Sequence, residues 1–189
     1  MSKLSIVKVR TEKDVNSFVL LAGGEAAVID PGEPAAKLVG QLDKSKLRYI
    51  LITHGHPGHL AGKDALKAAT AAETGMHVAD AKAFLRSADI YLKDGDELEL
   101  GGFQLRVIHT PGHTPGSLCF LLGNHLFTGD TLLAGSLGKQ APETDVRQQL
   151  YNVLSKLLVL PLNTAVYPGH GSATSLEAEV RTNPYLRPR

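Results

Sequence analysis

The sequence predicts a layered α/β domain, and three observations support this. Short runs rich in Val, Ile, Leu and Phe alternate with longer stretches whose apolar residues recur every three or four positions, as in amphipathic helices. Their order suggests two roughly similar halves, each with strands first and a helix last, which favours stacked layers over a simple doubly wound parallel sheet. The 189 residues suit one domain, so we expect a single domain over residues 1–189.

The first half begins with strands and then alternates helix and strand. Gly23 and Gly24 separate two strand-like runs and predict a hairpin turn. Residues 49–52 are too few and too β-branched for a helix and predict a buried strand. Alanine, lysine and leucine dominate residues 61–72, which predicts a helix ending before Gly75. In order, we expect strands at 4–10, 17–21 and 26–29, a helix at 34–42, a strand at 49–52, a helix at 61–72, a strand at 76–78 and a helix at 81–91.

Two hairpins open the second half. Gly101-Gly102 and Gly123-Asn124 each lie between strand-like runs, and the second pair suits a two-residue turn of the primed type. Apolar residues at steps of three and four from Val146 predict an amphipathic helix. Thr174 and Glu177 have the spacing of a capping box. In order, we expect strands at 97–100, 103–108, 117–122 and 125–128, a helix at 146–158, a strand at 164–167 and a last helix that starts at 174 and ends before 183.

Composition and charge exclude several classes of function. Hydrophobic residues make up 43% and charged residues 21%, which is typical of globular proteins and not of disordered chains. The formal net charge is +1, so we expect neither nucleic acid nor an anionic membrane as a partner. No apolar run approaches the roughly 20 residues of a membrane span. A single cysteine, Cys119, and a start without a secretory signal favour the cytoplasm.

A cluster of histidines follows the predicted buried strand at 49–52. The segment Thr-His-Gly-His-Pro-Gly-His contains His54, His56 and His59. Spacings of two and five residues place imidazoles on different sides of a helix, so we expect these three on a loop, with the last at the threshold of the next helix. Neutral imidazole is the commonest metal ligand in proteins. The segment predicts a metal site or, as the alternative, a polar surface loop that is merely rich in histidine.

Three further predicted strands end in the same way, in a Gly or Pro turn with a candidate ligand. The strand at 103–108 leads to His113, the strand at 125–128 to Asp130, and the strand at 164–167 to His170. In layered α/β proteins, bound molecules and ions lie beyond the carboxyl ends of strands. Four such ends with candidate ligands favour a metal site over a chance enrichment in histidine.

In sequence order, His-x-His-x-x-His at 54–59, His113, Gly129-Asp130 and Gly169-His170-Gly171 resemble the motifs of the metallo-β-lactamase superfamily over essentially the whole chain. Within it, HTPGHTPG at 109–116, DTLLAGSLG at 130–138 and YPGHG at 167–171 look like the small glyoxalase II-like hydrolases. The resemblance implies a four-layer αββα sandwich with a binuclear metal site at one edge.

The resemblance also implies a set of metal ligands. The first metal ion would be held by His54, His56 and His113, the second by His59 and His170, and Asp130 would bridge the two. No side chain is implied as the nucleophile, because a metal-bound hydroxide takes that role. Asp30, at the end of the predicted strand at 26–29, would orient a ligand histidine or simply lie in a turn.

One position departs from the superfamily pattern. Where the pattern has an aspartate that normally binds the second metal, directly before the third histidine, this chain has Gly58. We therefore expect a weakened second site, whereas three histidines suffice for hydrolysis with one metal ion. The expected cofactor is zinc, one or two ions, with iron as the alternative.

Three functions follow from this departure. The first is a hydrolase that uses a metal-bound hydroxide on a small thioester or ester. The second is a mononuclear iron enzyme, because two histidines and one carboxylate can activate dioxygen, and the resemblance extends to the persulfide dioxygenases. The third is a degenerate member that binds a ligand without turnover. We favour the hydrolase, with a small-molecule substrate as its partner. Because Ser117 stands where the glyoxalase II pattern usually has histidine, glutathione is not specified.

Overall fold

The computed structural model describes residues 3–11, 14–138 and 141–187, and its strands form two six-stranded sheets. The first sheet has the order β1 (Ser5–Arg10), β2 (Asn16–Ala22), β3 (Glu25–Ile29), β4 (Lys46–Leu51), β5 (Glu73–His77) and β6 (Ile90–Leu92). The second sheet, followed from its other edge, comprises β7 (Glu97–Leu100), β8 (Phe103–His109), β9 (Leu118–Leu122), β10 (His125–Gly129), β11 (Ala165–Pro168) and β12 (Thr174–Ser175).

The helices are short. They are α1 (Ala35–Val39), α2 (Pro57–Leu60), α3 (Lys63–Thr70), α4 (Val78–Ala83), α5 (Val146–Asn152) and α6 (Leu176–Thr182). A π-helical turn, Val153–Leu157, continues α5. No helix among the described residues is both long and apolar enough to cross a lipid bilayer.

Apolar side chains of both sheets fill the space between them. Phe18 of β2 meets Phe127 of β10 edge to face, with ring centroids 5.3 Å apart. Two further clusters cover the outer faces of the sheets, one beneath α1 and α3 around Leu38 and Leu66, the other beneath α5 and α6 around Leu157 and Leu176. The layers therefore run helix, sheet, sheet, helix, which is the αββα sandwich implied by the sequence resemblance.

Strand direction decides where functional side chains can gather. In the first sheet β3, β4, β5 and β6 are parallel neighbours, and in the second β10 and β11 are parallel. Parallel neighbours bring their carboxyl ends to one edge of a sheet, where the loops that follow them lie close together. The segments after β3, β4, β10 and β11 contain Asp30, the histidines of 54–59, Asp130 and His170.

Several predicted elements need correction. The predicted helix at 81–91 ends as α4 at Ala83, because Leu85 adopts a left-handed φ of 52° that no α-helix accommodates, and residues 90–92 form β6. The predicted helix at 61–72 is shortened to α3, and His59 lies within α2, not at the threshold of a helix. Ser175, not Thr174, caps α6 by accepting from Ala178 N–H.

Candidate metal centre

The six predicted ligands lie together at the edge of the sandwich where the parallel strands end. Two groups have ligand atoms within 4.8 Å of one another: His54, His56 and His113, and His54, His59 and Asp130. His170 contacts Asp130. The structure therefore assembles the predicted set from four separate segments that each follow a strand, and the binding of metal by that set stays a prediction.

His54 is held by hydrogen bonds that leave one ring nitrogen without a partner. Thr53 Oγ1 donates to Oδ2 of Asp30 at 2.7 Å and lies 3.0 Å from Nδ1 of His54. Because the single hydroxyl proton goes to the carboxylate, the oxygen accepts from Nδ1–H of His54. Nε2 then carries a lone pair, and it is buried with no hydrogen-bond partner. Burial first, and then repulsion from His59, holds the pKa of His54 well below its usual value.

Asp30 also orients His59. Its Oδ2 lies 2.8 Å from Nδ1 of His59, and its Oδ1 accepts from Thr53 N–H at 2.8 Å. A carboxylate only accepts, so Nδ1 of His59 has the proton and Nε2, which is buried without a partner, faces the centre. Burial opposes charging of His59, but the Asp30 and Asp130 carboxylates outweigh it and raise the pKa of this ring. Asp30 has a left-handed φ of 53°, a strained conformation of the kind concentrated at functional sites.

His113 faces the loop that follows β4. Its Nε2 lies 3.1 Å from Nδ1 of His56 and 3.7 Å from Oδ2 of Asp130. Burial lowers the pKa of His113 to about 4, against the attraction of Asp130. The ring is therefore neutral at physiological pH, which is the form that binds metals. Its Nδ1 is buried without a partner.

Asp130 occupies the middle of the cluster. Its Oδ1 lies 2.8 Å from Nδ1 of His170 and 3.8 Å from Nε2 of His59. Burial disfavours the charged carboxyl, but the hydrogen bond from His170 and the nearby imidazoles outweigh burial and lower the pKa of Asp130. A Cβ on Gly169 would lie 2.6 Å from Cε1 of His59 and 2.7 Å from Oδ1 of Asp130, so glycine keeps this space open.

Gly58 leaves the second half of the centre without an additional carboxylate. It is the second residue of α2, half-buried, and directly precedes His59. Asp64 does not replace the missing group, because its side chain is 89% exposed and pairs with Lys63. The departure read from the sequence is therefore uncompensated at that position.

Sequence reasoning missed a buried carboxylate that contacts the loops of His54 and His113. Asp80, in α4, accepts from Gly55 N–H at 2.7 Å, Gly116 N–H at 2.6 Å and Thr114 Oγ1 at 2.8 Å. It thereby joins the loop of His54 to the loop of His113. Burial raises its pKa despite these bonds. A sequence signal existed, because Asp80 closely follows β5, another strand of the parallel set.

A second missed residue is Glu143, whose Oε1 lies 2.5 Å from Nε2 of His56. The hydrogen bond with His56 lowers the pKa of Glu143. No strand end or motif marks this position in the sequence.

The remaining histidines, His77, His109 and His125, and the cysteine, Cys119, lie outside the centre. The rings of His77 and His109 stack on each other. His125 is hydrogen-bonded to Tyr167. Cys119 is fully buried in β9, and burial raises the pKa of its thiol to about 11, so it is not a reactive thiolate.

The model of the metallo-beta-lactamase superfamily matches residues 10–170. A hydroxyacylglutathione hydrolase, GloC, of Haemophilus influenzae is 33% identical over 85% of this chain and 87% of its own length. The mitochondrial persulfide dioxygenase ETHE1 of Bos taurus is 33% identical over 86% of this chain and 66% of its own length. Both of the enzyme classes considered from the sequence, hydrolase and persulfide dioxygenase, therefore occur among its relatives.

A solved structure extends these similarities to the fold. The structure of TTHA1623 in a di-iron-bound form superimposes with a TM-score of 0.80 and 32% sequence identity, over 95% of this chain and 100% of that one. Its fold and length match the chain described above.

Proposed function

Because this chain belongs to the metallo-beta-lactamase superfamily, we propose that it is a metal-dependent hydrolase of a small thioester or ester, of the glyoxalase II type. One observation carries the proposal: His54, His59 and Asp130 place ligand atoms within 4.8 Å of one another, and Nε2 of each of the two rings is buried without any hydrogen-bond partner. An unpartnered buried polar atom costs about 1–3 kcal/mol, and a bound cation removes that cost.

The donor set suits a transition metal. Imidazole nitrogens with one carboxylate are the ligands that zinc and iron prefer, whereas calcium and magnesium prefer oxygen. His54, His56 and His113 would hold a first ion, which we call the first position, and His59 and His170 a second, the second position, with Asp130 between them. A bound ion supplies Lewis acidity towards a carbonyl oxygen and lowers the pKa of water to about 7.

The chain itself contributes orientation and charge. The hydroxyl of Thr53 and the carboxylate of Asp30 keep protons on the outward nitrogens of His54 and His59, so that the inward nitrogens present lone pairs. Asp130 is ionised, because its neighbours lower its pKa. No serine or cysteine nucleophile lies among these residues, and Cys119 is buried in β9 away from them. The arrangement therefore suits activation of water in place of a covalent acyl intermediate.

A persulfide dioxygenase is the second candidate. The group of His54, His59 and Asp130 consists of two histidines and one carboxylate, the set used by non-haem iron enzymes that activate dioxygen. The bovine relative carries that activity in its name. Gly58 favours this candidate, because it removes a carboxylate that would help to hold a second ion.

The experiment that tests both begins with metal content. Protein purified without chelators is analysed for zinc and iron, reloaded with each, and assayed on thioesters, esters and lactones and, by oxygen consumption, on glutathione persulfide. We expect metal-dependent hydrolysis that falls to background in His113→Ala. The matched control is His125→Ala, whose ring contacts Tyr167 away from the centre.

The other outcomes each identify a different function. Iron-dependent oxygen consumption without hydrolysis would replace the hydrolase by the dioxygenase. Absence of turnover in every assay by metal-loaded protein would contradict both and favour ligand binding alone. Full hydrolysis by His113→Ala would show that the centre is assigned to the wrong residues.

A further inference from the structure

The segment 141–145 is fastened to the loop that contains His113. Thr144 Oγ1 donates to the carbonyl oxygen of His113 at 3.0 Å, and Asp145 N–H donates to the carbonyl oxygen of Gly112 at 2.7 Å. The segment also contains an internal hydrogen bond, in which Ala141 N–H donates to Thr144 Oγ1 at 3.0 Å. Glu143 therefore projects from backbone whose position is set by a loop of the candidate centre.

Glu143 meets the outward nitrogen of His56. The distance from Oε1 to Nε2 is 2.5 Å, and the two side chains are 31% and 24% exposed respectively. The other nitrogen of the same ring, Nδ1, lies 3.1 Å from Nε2 of His113 and so faces the centre. A carboxylate only accepts, so the contact keeps the ring proton of His56 on Nε2 and leaves a lone pair on Nδ1.

His56 is thus oriented by a different part of the chain from its neighbours. The outward nitrogens of His54 and His59 are both linked to Asp30, directly or through Thr53, in the buried floor of the site. His56 and Glu143 are both partly exposed, whereas Asp30, His54 and His59 are buried. Gly58, two residues after His56, offers no carboxylate.

We propose that Glu143 is a positioning residue of the first position, which holds His56 with Nδ1 directed at the metal and joins the loop of β4 to the loop of His113 through segment 141–145. The inference rests on the proposed function only in taking His56 as a metal ligand. It concerns the affinity of the first position, whichever reaction follows.

Two substitutions separate the hydrogen bond from the charge. Glu143→Ala removes both, whereas Glu143→Gln keeps a carbonyl oxygen that accepts from Nε2–H. The matched controls are Glu97→Ala and Glu97→Gln, on the exposed side of β7, which change net charge by the same amount. Zinc affinity is measured by competition with a chromophoric chelator, and the protonated nitrogen of His56 is identified by long-range ¹H–¹⁵N NMR of the metal-free protein.

We expect Glu143→Ala to weaken zinc binding by about 10- to 100-fold, the range for loss of a group that orients a ligand histidine. Glu143→Gln should fall between Glu143→Ala and the unsubstituted chain, and both Glu97 variants should bind zinc as the unsubstituted chain does. The NMR signal should show the proton of His56 on Nε2, and this preference should be lost in Glu143→Ala.

Equal zinc affinity in Glu143→Ala and the unsubstituted chain would overturn the inference, as would a ring proton that sits on Nδ1 regardless of residue 143. Weaker binding by both Glu143 and Glu97 variants would also overturn it, since net charge alone would then explain the effect. If zinc binding responds to Glu143 but the protein hydrolyses nothing, the proposed function fails and this inference stands.

Discussion

Two groups of histidines lie in this molecule, and they differ in what their nitrogens contact. In the candidate centre, Nε2 of His54 and Nε2 of His59 are buried without partners. Away from the centre, His77 and His109 stack with centroids 3.9 Å apart and planes 13° from parallel. There Nδ1 of His77 accepts from Ala79 N–H, and Nε2 of His109 lies 3.0 Å from the carbonyl oxygen of Pro115.

The comparison shows that histidine content does not identify a metal site. In the stacked pair, Nδ1 of His77 caps α4 and Nε2 of His109 is hydrogen-bonded to the carbonyl oxygen of Pro115. These nitrogens therefore have partners without a metal ion. The candidate centre has lone pairs that the protein itself leaves unsatisfied. Because unsatisfied buried polar groups are rare in folded proteins, they are the sharper signal.

The largest effect should come from exchanging one member of each group for alanine. We expect His54→Ala to weaken zinc binding by more than about 100-fold, because the ~10–16 kcal/mol of a four-ligand zinc site is shared among its ligands. His77→Ala should leave zinc affinity unchanged and cost about 1 kcal/mol of stability through loss of the cap on α4. Chelator competition and urea unfolding measure the two quantities. Equal zinc affinities in the two variants would refute the contrast.

Asp30 supports two rings at once, so its substitution should affect stability and metal binding together. Asp30→Asn has nearly the same shape, but its amide NH2 replaces one carboxylate oxygen. A donor then faces a hydrogen-bond donor from which that oxygen accepts in the unsubstituted chain. We expect a loss of about 2–3 kcal/mol in the unfolding free energy of the metal-free protein. Zinc binding should weaken by roughly 10- to 100-fold. An unchanged urea midpoint would mean that Asp30 lies in the turn without supporting the centre.

Gly58 allows the second position to be restored. We expect Gly58→Asp to tighten binding of a second zinc ion by at least the roughly 10- to 100-fold that a group orienting a ligand contributes, because this carboxylate would contact the ion itself. An aspartate in the first turn of α2 is also electrostatically favourable. Gly58→Asn, of the same shape without the charge, is the control. Calorimetric titration measures the second ion, and equal behaviour of the two variants would show that Gly58 does not limit this position.

Much of this architecture could be predicted from local sequence. Hairpins at Gly23-Gly24, Gly101-Gly102 and Gly123-Asn124 are confirmed, because a turn residue and its flanking runs are neighbours in the chain. β6 was missed because residues 90–92 are too short to show a period, and their strand character comes from pairing with β5. The sequence predicts Thr174 as the capping residue of α6, but Ser175 caps the helix. The hydroxyl of Thr174 instead donates to Oε1 of Glu179.

The site could be predicted from the sequence where its residues directly follow the ends of strands. The six candidate ligands follow strands, so one rule found all of them. The same rule applies to Asp80 after β5, but a lone aspartate beside a helix start gives no reason to choose it. Glu143 was beyond reach, because its contact with His56 depends on hydrogen bonds between segment 141–145 and the His113 loop, which no local pattern encodes.

The smallest effect should come from the titration of the stacked pair. Burial, and then His109, lowers the pKa of His77 to about 4, below the ~6.5 of an unfolded histidine. As pH falls from about 6.5 towards 4, the unfolded chain takes up this proton and the folded chain does not, so the folded state loses stability. In metal-free protein, His77→Gln should reduce the slope of unfolding free energy against pH in that interval. The reduction should stay below the ~1.4 kcal/mol per pH unit of one proton, because the ring is partly exposed. Parallel curves would show that stacking on His109 leaves His77 as basic as in the unfolded chain. His77 would then not share the lowered pKa of His54 and His113 in the candidate centre.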